Sequence, residues 1–79
     1  MAKVKVFSTP SCSYCMTLKE FLKDNNIKFD DIDVSQDEMA VAEMVKKSGQ
    51  MGVPVIDIDG EIIVGFDKKK VVELLNIKE

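Results

Sequence analysis

Two cysteines in the segment Cys12-Ser13-Tyr14-Cys15 are the groups in this chain whose type and spacing best suit chemistry. A short strand is predicted just before this segment and an amphipathic helix just after it, so Cys12 falls at a helix N-terminus. Free backbone amides and the helix dipole at that end favour a thiolate over a thiol. Cys15 follows one turn later, more shielded but close enough to form a disulfide with Cys12. The pattern predicts thiol–disulfide exchange, in which Cys12 attacks a substrate disulfide and Cys15 resolves the mixed disulfide.

A cysteine pair with this spacing also occurs in metal sites and in structural disulfides. Zinc and iron–sulfur sites generally use four ligands, and this chain has two cysteines and no histidine. A metal would therefore need a dimer or an external thiolate, and no metal site is predicted. A structural disulfide would close too small a loop to constrain the unfolded chain much. Redox chemistry is the favoured interpretation.

Hydrophobic spacing predicts the elements that hold the two cysteines. Val4, Val6 and Phe7 indicate a first strand, which the segment Thr9-Pro10-Ser11 ends because proline removes a backbone donor. Apolar residues at three- and four-residue spacing then predict a helix over about residues 13–24. The cysteine pair is thus expected where the first strand hands over to the first helix.

A second strand and a second helix are predicted in the middle of the chain. The strand covers roughly Lys28 to Val34, with a bulge where two adjacent aspartates interrupt its apolar alternation. The motif Ser35-x-x-Glu38 matches a capping box, in which the serine oxygen accepts a free amide at the start of a helix. That helix is expected to run to Ser48 and to end at Gly49 in a left-handed conformation.

The last third predicts a β-hairpin followed by a third helix. Residues 55–58 and 61–64 are rich in strand-forming side chains, and Asp59-Gly60 between them suits a tight turn with positive φ at both positions. Asp67 is placed to cap the last helix. The β-α-β-α-β-β-α order predicts an α/β fold with a four-stranded mixed sheet flanked by three helices, its first two strands parallel and its hairpin antiparallel.

Composition narrows the class of protein. A chain of 79 residues is expected to form a single domain over residues 1–79. Its net charge of −3 comes from 11 lysines, no arginine and 14 carboxylates, which argues against a nucleic-acid partner. The lack of histidine excludes His-dependent triads. Because no apolar run approaches a membrane span and the start does not resemble a signal peptide, a cytoplasmic location is expected.

Two further features have competing interpretations. The bond before Pro54 is either an ordinary trans bond that opens a strand, which the pattern alone favours, or a cis turn whose Val53 backbone faces the cysteines. The run Lys68-Lys69-Lys70 is more simply a solvated face than a site for an anionic ligand or an acidic partner. Met16 and Met51 flank the cysteine site and are candidates for a substrate groove, although methionine more often fills a core.

Taken together, Cys12-Ser13-Tyr14-Cys15, Val53-Pro54 and Gly65-Phe66-Asp67 resemble the glutaredoxin family of the thioredoxin fold over essentially the whole chain, in particular its short bacterial glutaredoxin-like members. The resemblance implies that Pro54 is cis and that the protein, without a bound cofactor, reduces protein disulfides or glutathione mixed disulfides with glutathione as reductant. For the oligomeric state, a monomer is the default expectation. It also implies a glutathione site, to which we assign Thr9, Tyr14, Val53, Pro54, Gly65, Phe66 and Asp67.

The chain departs from the family pattern at several of these positions. Ser13 stands where the family usually has proline, Thr9 where it often has lysine, and Gly52 where it has threonine. One glycine and one aspartate are also replaced around Gly65-Phe66-Asp67. Two alternatives stay open. One is a hydrogen donor that takes electrons from thioredoxin reductase, and the other is a dimer that holds an iron–sulfur cluster with Cys12 of each chain and two glutathiones.

Overall fold

The computed structural model describes residues 3–77. Residues 1–2 and 78–79 of the predicted single domain, and with them the start of the stretch compared with a signal peptide, lie outside the described residues. The predicted α/β class and element order are confirmed. The elements are β1 (Val4–Ser8), α1 (Ser13–Asp24), β2 (Asp30–Asp33), α2 (Glu38–Ser48), β3 (Val55–Ile58), β4 (Glu61–Val64) and α3 (Lys68–Leu75).

The four strands form one mixed sheet in the order β2-β1-β3-β4. β1 pairs with β2 in parallel and with β3 antiparallel, and β3 and β4 form the predicted antiparallel hairpin. The register between β1 and β2 runs from Lys5 opposite Asp30 to Ser8 opposite Asp33 without interruption. The predicted bulge is therefore wrong, because Asp30 and Asp31 pair one to one with Lys5 and Val6, and Phe29 lies before the strand begins.

The two central strands are covered on both faces of the sheet, so their apolar residues are divided between two clusters. One face carries Val6 and Ile56 against α1 and α3, and the other carries Phe7 and Val55 against α2. Buried members of the first cluster are Val4, Val6, Leu18, Leu22, Ile56, Ile58, Ile63 and Val71, and those of the second are Phe7, Val34, Ala40, Met44 and Val55. The sheet is thus a rigid base for the segments at its edge.

The second helix begins at a different cap from the one predicted. The Asp37 carboxylate accepts the backbone amides of Met39 and Ala40, at 3.0 and 3.2 Å. The Ser35 hydroxyl instead donates to the carboxylate of Asp33 at 2.6 Å. The Ser35 capping box is therefore wrong. A carboxylate directly before the helix serves as the cap and also complements the positive end of the helix dipole.

The turns predicted from glycine and aspartate are confirmed. Asp59 and Gly60 both have positive φ, 51° and 93°, as a tight hairpin turn requires. Gly49 ends α2 at φ 75°, and the Asp67 carboxylate accepts the Lys70 amide at the start of α3. Within residues 3–77, none of the helices has the length and apolar character needed to cross a membrane.

Candidate active site

Three segments that are far apart in sequence meet at one end of the sheet, where β1 and β4 finish and β3 begins. This end of the sheet is called the cysteine edge below. In the antiparallel pairing of β1 with β3, Phe7 lies opposite Val55, so the loop after β1 begins beside Pro54. In the hairpin, Val55 lies opposite Val64, and the Gly65 amide donates to the Pro54 carbonyl at 2.8 Å. The topology therefore places the cysteine loop, Pro54 and Gly65 in one neighbourhood.

Cys12 is the N-cap residue of α1. A turn leads into it, since its amide donates to the Thr9 carbonyl at 3.3 Å. Its backbone is extended (φ −90°, ψ 110°), and its sulfur accepts the Cys15 amide at 3.1 Å. The sulfur thus occupies the position of the usual capping oxygen, where a free amide and the helix dipole favour negative charge. The residue is half-buried, so part of Cys12 is exposed to solvent.

Cys15 lies in the opposite environment. It is fully buried, and both cysteines are free thiols. Burial raises the pKa of Cys15 to about 11, and the side-chain hydrogen bond with Cys12 adds to this effect, while a backbone hydrogen bond with Thr9 and the charge of Lys19 oppose it. At neutral pH Cys15 is therefore a protonated, shielded thiol that a large substrate cannot reach.

The segment before β3 adopts the conformation that the family resemblance implies. The Val53–Pro54 peptide bond is cis, so the trans bond favoured by the sequence pattern alone is wrong. Pro54 is buried and Val53 is half-buried. Tyr14, inside the cysteine motif, exposes 70% of its surface. Tyr14 is thus largely exposed and Val53 partly exposed beside the cis bond.

The segment after β4 is shaped by its glycine and anchored by its aromatic residue. Gly65 has φ 78°, a left-handed conformation that favours glycine. Phe66 is half-buried and packs against Phe21 of α1, with ring centroids 5.8 Å apart. Asp67 is exposed and caps α3. Gly65 and Asp67 are therefore held at fixed positions next to the cysteine edge.

Two exposed methionines and an ion pair between Lys19 and Asp31 also lie near the cysteines in sequence or in the fold. Met16 and Met51 are both well exposed, at 58% and 71%, and so do not fill the core. Sequence reasoning did not single out Lys19, whose ammonium lies 2.8 Å from the Asp31 carboxylate on β2. The available signal was its position four residues after Cys15, which places both on one side of α1.

Comparison with known proteins agrees with this fold. The family model of glutaredoxin matches residues 4–63. A glutaredoxin-like 8.6 kDa protein in the rubredoxin operon of Clostridium pasteurianum is 49% identical over 72 residues, which cover 91% of this chain and 96% of that protein. Glutaredoxin 3 of Escherichia coli is 33% identical over 67 residues, which cover 85% of this chain and 81% of that one.

A solved structure gives the same result in three dimensions. The thioredoxin-like protein BC3987 superposes with a TM-score of 0.86 at 35% identity, over 91% of this chain and 99% of that one. Fold and paired cysteines together define the class of thioredoxin-fold thiol oxidoreductases. Within that class, this chain belongs to the glutaredoxin family.

Proposed function

We propose that this protein is a thiol–disulfide oxidoreductase that reduces protein disulfides or glutathione mixed disulfides, with Cys12 as nucleophile and Cys15 as resolving thiol. The asymmetry between the two cysteines carries the proposal. Cys12 is half-buried at the helix N-terminus with an amide on its sulfur, whereas Cys15 is fully buried with a raised pKa. The active form is proposed to be a monomer in the cytoplasm, without a bound cofactor.

The reaction proceeds by two exchanges. The Cys12 thiolate attacks one sulfur of the substrate disulfide, forms a mixed disulfide, and the first substrate thiol leaves with a proton. Cys15 then attacks the Cys12 sulfur, which releases the second substrate thiol and leaves a disulfide between the two cysteines. Two glutathione molecules reduce this disulfide in turn: the first forms a mixed disulfide with Cys12 and frees Cys15, and the second attacks that mixed disulfide and leaves as glutathione disulfide. In the glutathione mixed-disulfide reaction, a second glutathione can replace Cys15 as the attacking thiol.

The proposed glutathione site lies along the edge that the three segments share. Backbone groups of Val53, beside the cis bond to Pro54, pair with the extended thiol tripeptide. The γ-glutamyl end lies against Gly65, Phe66 and Asp67, where the Asp67 carboxylate suits its amino group and the start of α3 suits its carboxylate. Support comes from the Gly65–Pro54 hydrogen bond, which holds both parts of this surface in one arrangement.

Thr9 and Tyr14 are proposed to border the glutathione that is bound to Cys12. Thr9 follows directly after β1, and its carbonyl accepts the Cys12 amide. Tyr14 is largely exposed one residue before Cys15. Thr9 and Tyr14 therefore lie on either side of Cys12 in the cysteine segment.

The decisive assay is steady-state reduction of a glutathione mixed disulfide, coupled to glutathione and glutathione reductase. Wild type, Cys12→Ser and Cys15→Ser are compared at equal concentration. We expect no turnover for Cys12→Ser and partial turnover for Cys15→Ser, because glutathione can resolve the intermediate. Equal loss in both variants would contradict the assigned roles.

A second electron source is favoured by one observation. Thr9 occupies a position where a lysine would offer a cation to the glycine carboxylate of glutathione, and threonine offers none. The rival function is a hydrogen donor reduced by thioredoxin reductase. It is supported if the glutathione assay shows no turnover while thioredoxin reductase and NADPH reduce the protein, and the reduced protein in turn reduces insulin.

A further inference from the structure

A polar cluster lies on the side of the cysteine loop where β1 and β2 end. The Asp31 carboxylate of β2 accepts the Ser8 hydroxyl at 3.1 Å and lies 2.8 Å from the Lys19 ammonium, through the same oxygen. Ser8 is buried at the end of β1, and the Lys19 side chain exposes only 19% of its surface. The cluster therefore holds one mostly shielded cation in a defined place.

The position of this cation is close to the resolving cysteine. Lys19 follows Cys15 by four residues on α1, so the two residues share one side of the helix. A cleft of about 280 Å³ lies beside the start of the cysteine loop. It is lined by Ser8, Thr9, Pro10, Lys19, Asp31 and Asp33. Thr9, which lines this cleft, also makes a backbone hydrogen bond with Cys15. Thr9 and Lys19 therefore both line the cleft and both act on the buried thiol of Cys15.

The charges around Cys15 act in opposite directions. Burial is the largest effect and raises its pKa, and the side chain of Cys12 raises it further. The Lys19 charge lowers it. From β2, the carboxylates of Asp31 and Asp33 face the same cleft. Asp31 is bound to Lys19, while Asp33 accepts the amide and hydroxyl of Ser35. Lys19 is therefore the cation on this side that favours the thiolate.

We propose that Lys19, held by Asp31, is a positioning residue for the resolving step: its charge stabilises the Cys15 thiolate as Cys15 attacks the mixed disulfide on Cys12. This inference rests on the proposed function and deepens it. In the step, the Cys15 proton passes to solvent and a new bond forms between Cys15 and the Cys12 sulfur. The bond from Cys12 to the substrate sulfur breaks, and its electron pair leaves on that sulfur, which takes up a proton.

Asp31 has a distinct part in this arrangement. A free lysine side chain is long and flexible and carries a strongly hydrated ammonium, so it would turn toward water. The bond to Asp31, which Ser8 orients in turn, keeps the ammonium over the cleft instead. A purely structural role would be to join α1 to β2, and that role would not change the pH dependence of a reaction at Cys15.

The test separates the two cysteine steps in one experiment. Reduced protein is mixed with one equivalent of the aromatic disulfide dithiobis(nitrobenzoate) in a stopped-flow instrument, between pH 6 and 10. The first release of coloured thiolate reports attack by Cys12, and the second reports resolution by Cys15. Lys19→Met is compared with Lys23→Met, which removes an exposed lysine one turn further along the same helix. Lys19→Arg retains the charge.

We expect Lys19→Met to leave the first release unchanged and to move the pH profile of the second release upward. Near neutral pH the second release should be about twofold to fivefold slower, as expected for one partly screened charge whose loss also makes the thiolate more nucleophilic. Lys19→Arg should restore the wild-type profile, and Lys23→Met should match wild type. If Lys19→Met does not fold, as judged by thermal melting, Lys19→Gln replaces it.

The outcomes distinguish the two levels of the proposal. A wild-type protein without the first release would overturn the proposed function itself. If wild type shows both releases, but the pH profile of the second release is the same in the variant that lacks the Lys19 charge as in wild type, the proposed role of Lys19 is overturned. Equal slowing of both releases would also overturn it, since it would indicate a general structural effect.

Discussion

The backbone amide of Gly65 donates a 2.8 Å hydrogen bond to the carbonyl oxygen of Pro54. The bond joins the residue after β4 to the residue before β3, at the edge where the cysteine loop also ends. It is made while Gly65 has φ 78°, a conformation that costs an L-residue roughly 1–2 kcal/mol. Glycine avoids this cost, so the backbone conformation at residue 65 favours glycine directly beside the proposed glutathione surface.

Substitution of Gly65 by alanine tests whether glycine at this position is needed for binding of the glutathione substrate. A β-carbon at Gly65 meets no heavy atom within 4 Å, and the same is true at Gly49, which has nearly the same φ at the end of α2. Gly65→Ala and Gly49→Ala should therefore each lower the free energy of unfolding by about 1 kcal/mol, measured by urea denaturation. We expect only Gly65→Ala to raise the KM for a glutathione mixed disulfide. An unchanged KM would remove Gly65 from the site.

Alkylation should distinguish the two cysteines in the folded protein. At pH 7, iodoacetamide is expected to modify Cys12 and to leave Cys15 intact, because Cys15 is fully buried and its pKa is raised to about 11. Peptide mass spectrometry after timed quenching measures both adducts. Denatured protein serves as the control, in which both thiols should react. Comparable rates at the two cysteines in the folded state would contradict the structural assignment.

The pH dependence of stability should reflect the buried carboxylate of Asp57. Burial alone would raise its pKa, but hydrogen bonds from Lys47, at 2.6 Å, and from the Gly60 amide, with the charges of Lys47 and Lys5, outweigh burial and hold the pKa below its ordinary value. A carboxylate with a lowered folded-state pKa contributes stability that is present above its unfolded pKa. That contribution is lost as the pH falls through the lower folded value.

Removing the partner of Asp57 should therefore show the largest effect near neutral pH. Lys47→Met is expected to lower the free energy of unfolding by about 1–3 kcal/mol at pH 7, since a largely buried carboxylate loses its cation. The difference from wild type should shrink as the pH falls below the ordinary aspartate pKa of about 4 towards the lower folded-state pKa of Asp57, because protonation of Asp57 removes its attraction to Lys47. Lys46→Met, at the exposed neighbouring position, is the control. A difference that is constant from pH 7 to pH 2 would contradict this coupling.

The corrected cap of α2 gives a further test. Asp37→Ala removes the acceptor of the Met39 and Ala40 amides and should cost about 1 kcal/mol of stability. Ser35→Ala removes only a local hydroxyl contact with Asp33 and should cost less. Urea denaturation of both variants measures the order. The reverse order would restore Ser35 as the cap.

The parts of the fold that depend on local pattern could be read from the sequence. The bounds of α1, the hairpin turn at Asp59-Gly60 and the cap at Asp67 follow from spacing and turn chemistry, and all are present. The cap of α2 was missed because Ser35 and Asp37 are both good capping residues, and only the helix start at Glu38 decides between them.

The parts that depend on distant contacts could not be read from pattern alone. The cis bond before Pro54 came from family resemblance, since nothing in the neighbouring residues requires it. The pair between Lys19 and Asp31 joins a helix to a strand, and it exists only because β2 lies beside β1. The positions of the cysteines, in contrast, needed only the predicted change from strand to helix.

The arrangement of the site has an evolutionary consequence. Its groups are carried by three short segments, at residues 9–15, 53–54 and 65–67, while the strands between them supply the buried core. A substitution in one segment can therefore alter the choice of thiol donor or target without disturbing the sheet. Under the proposed function, substitutions at Thr9 or Gly65 would change the electron donor while the cysteine pair stays the same. In design, the same sheet could be refitted for a different redox partner by exchanging these segments one at a time.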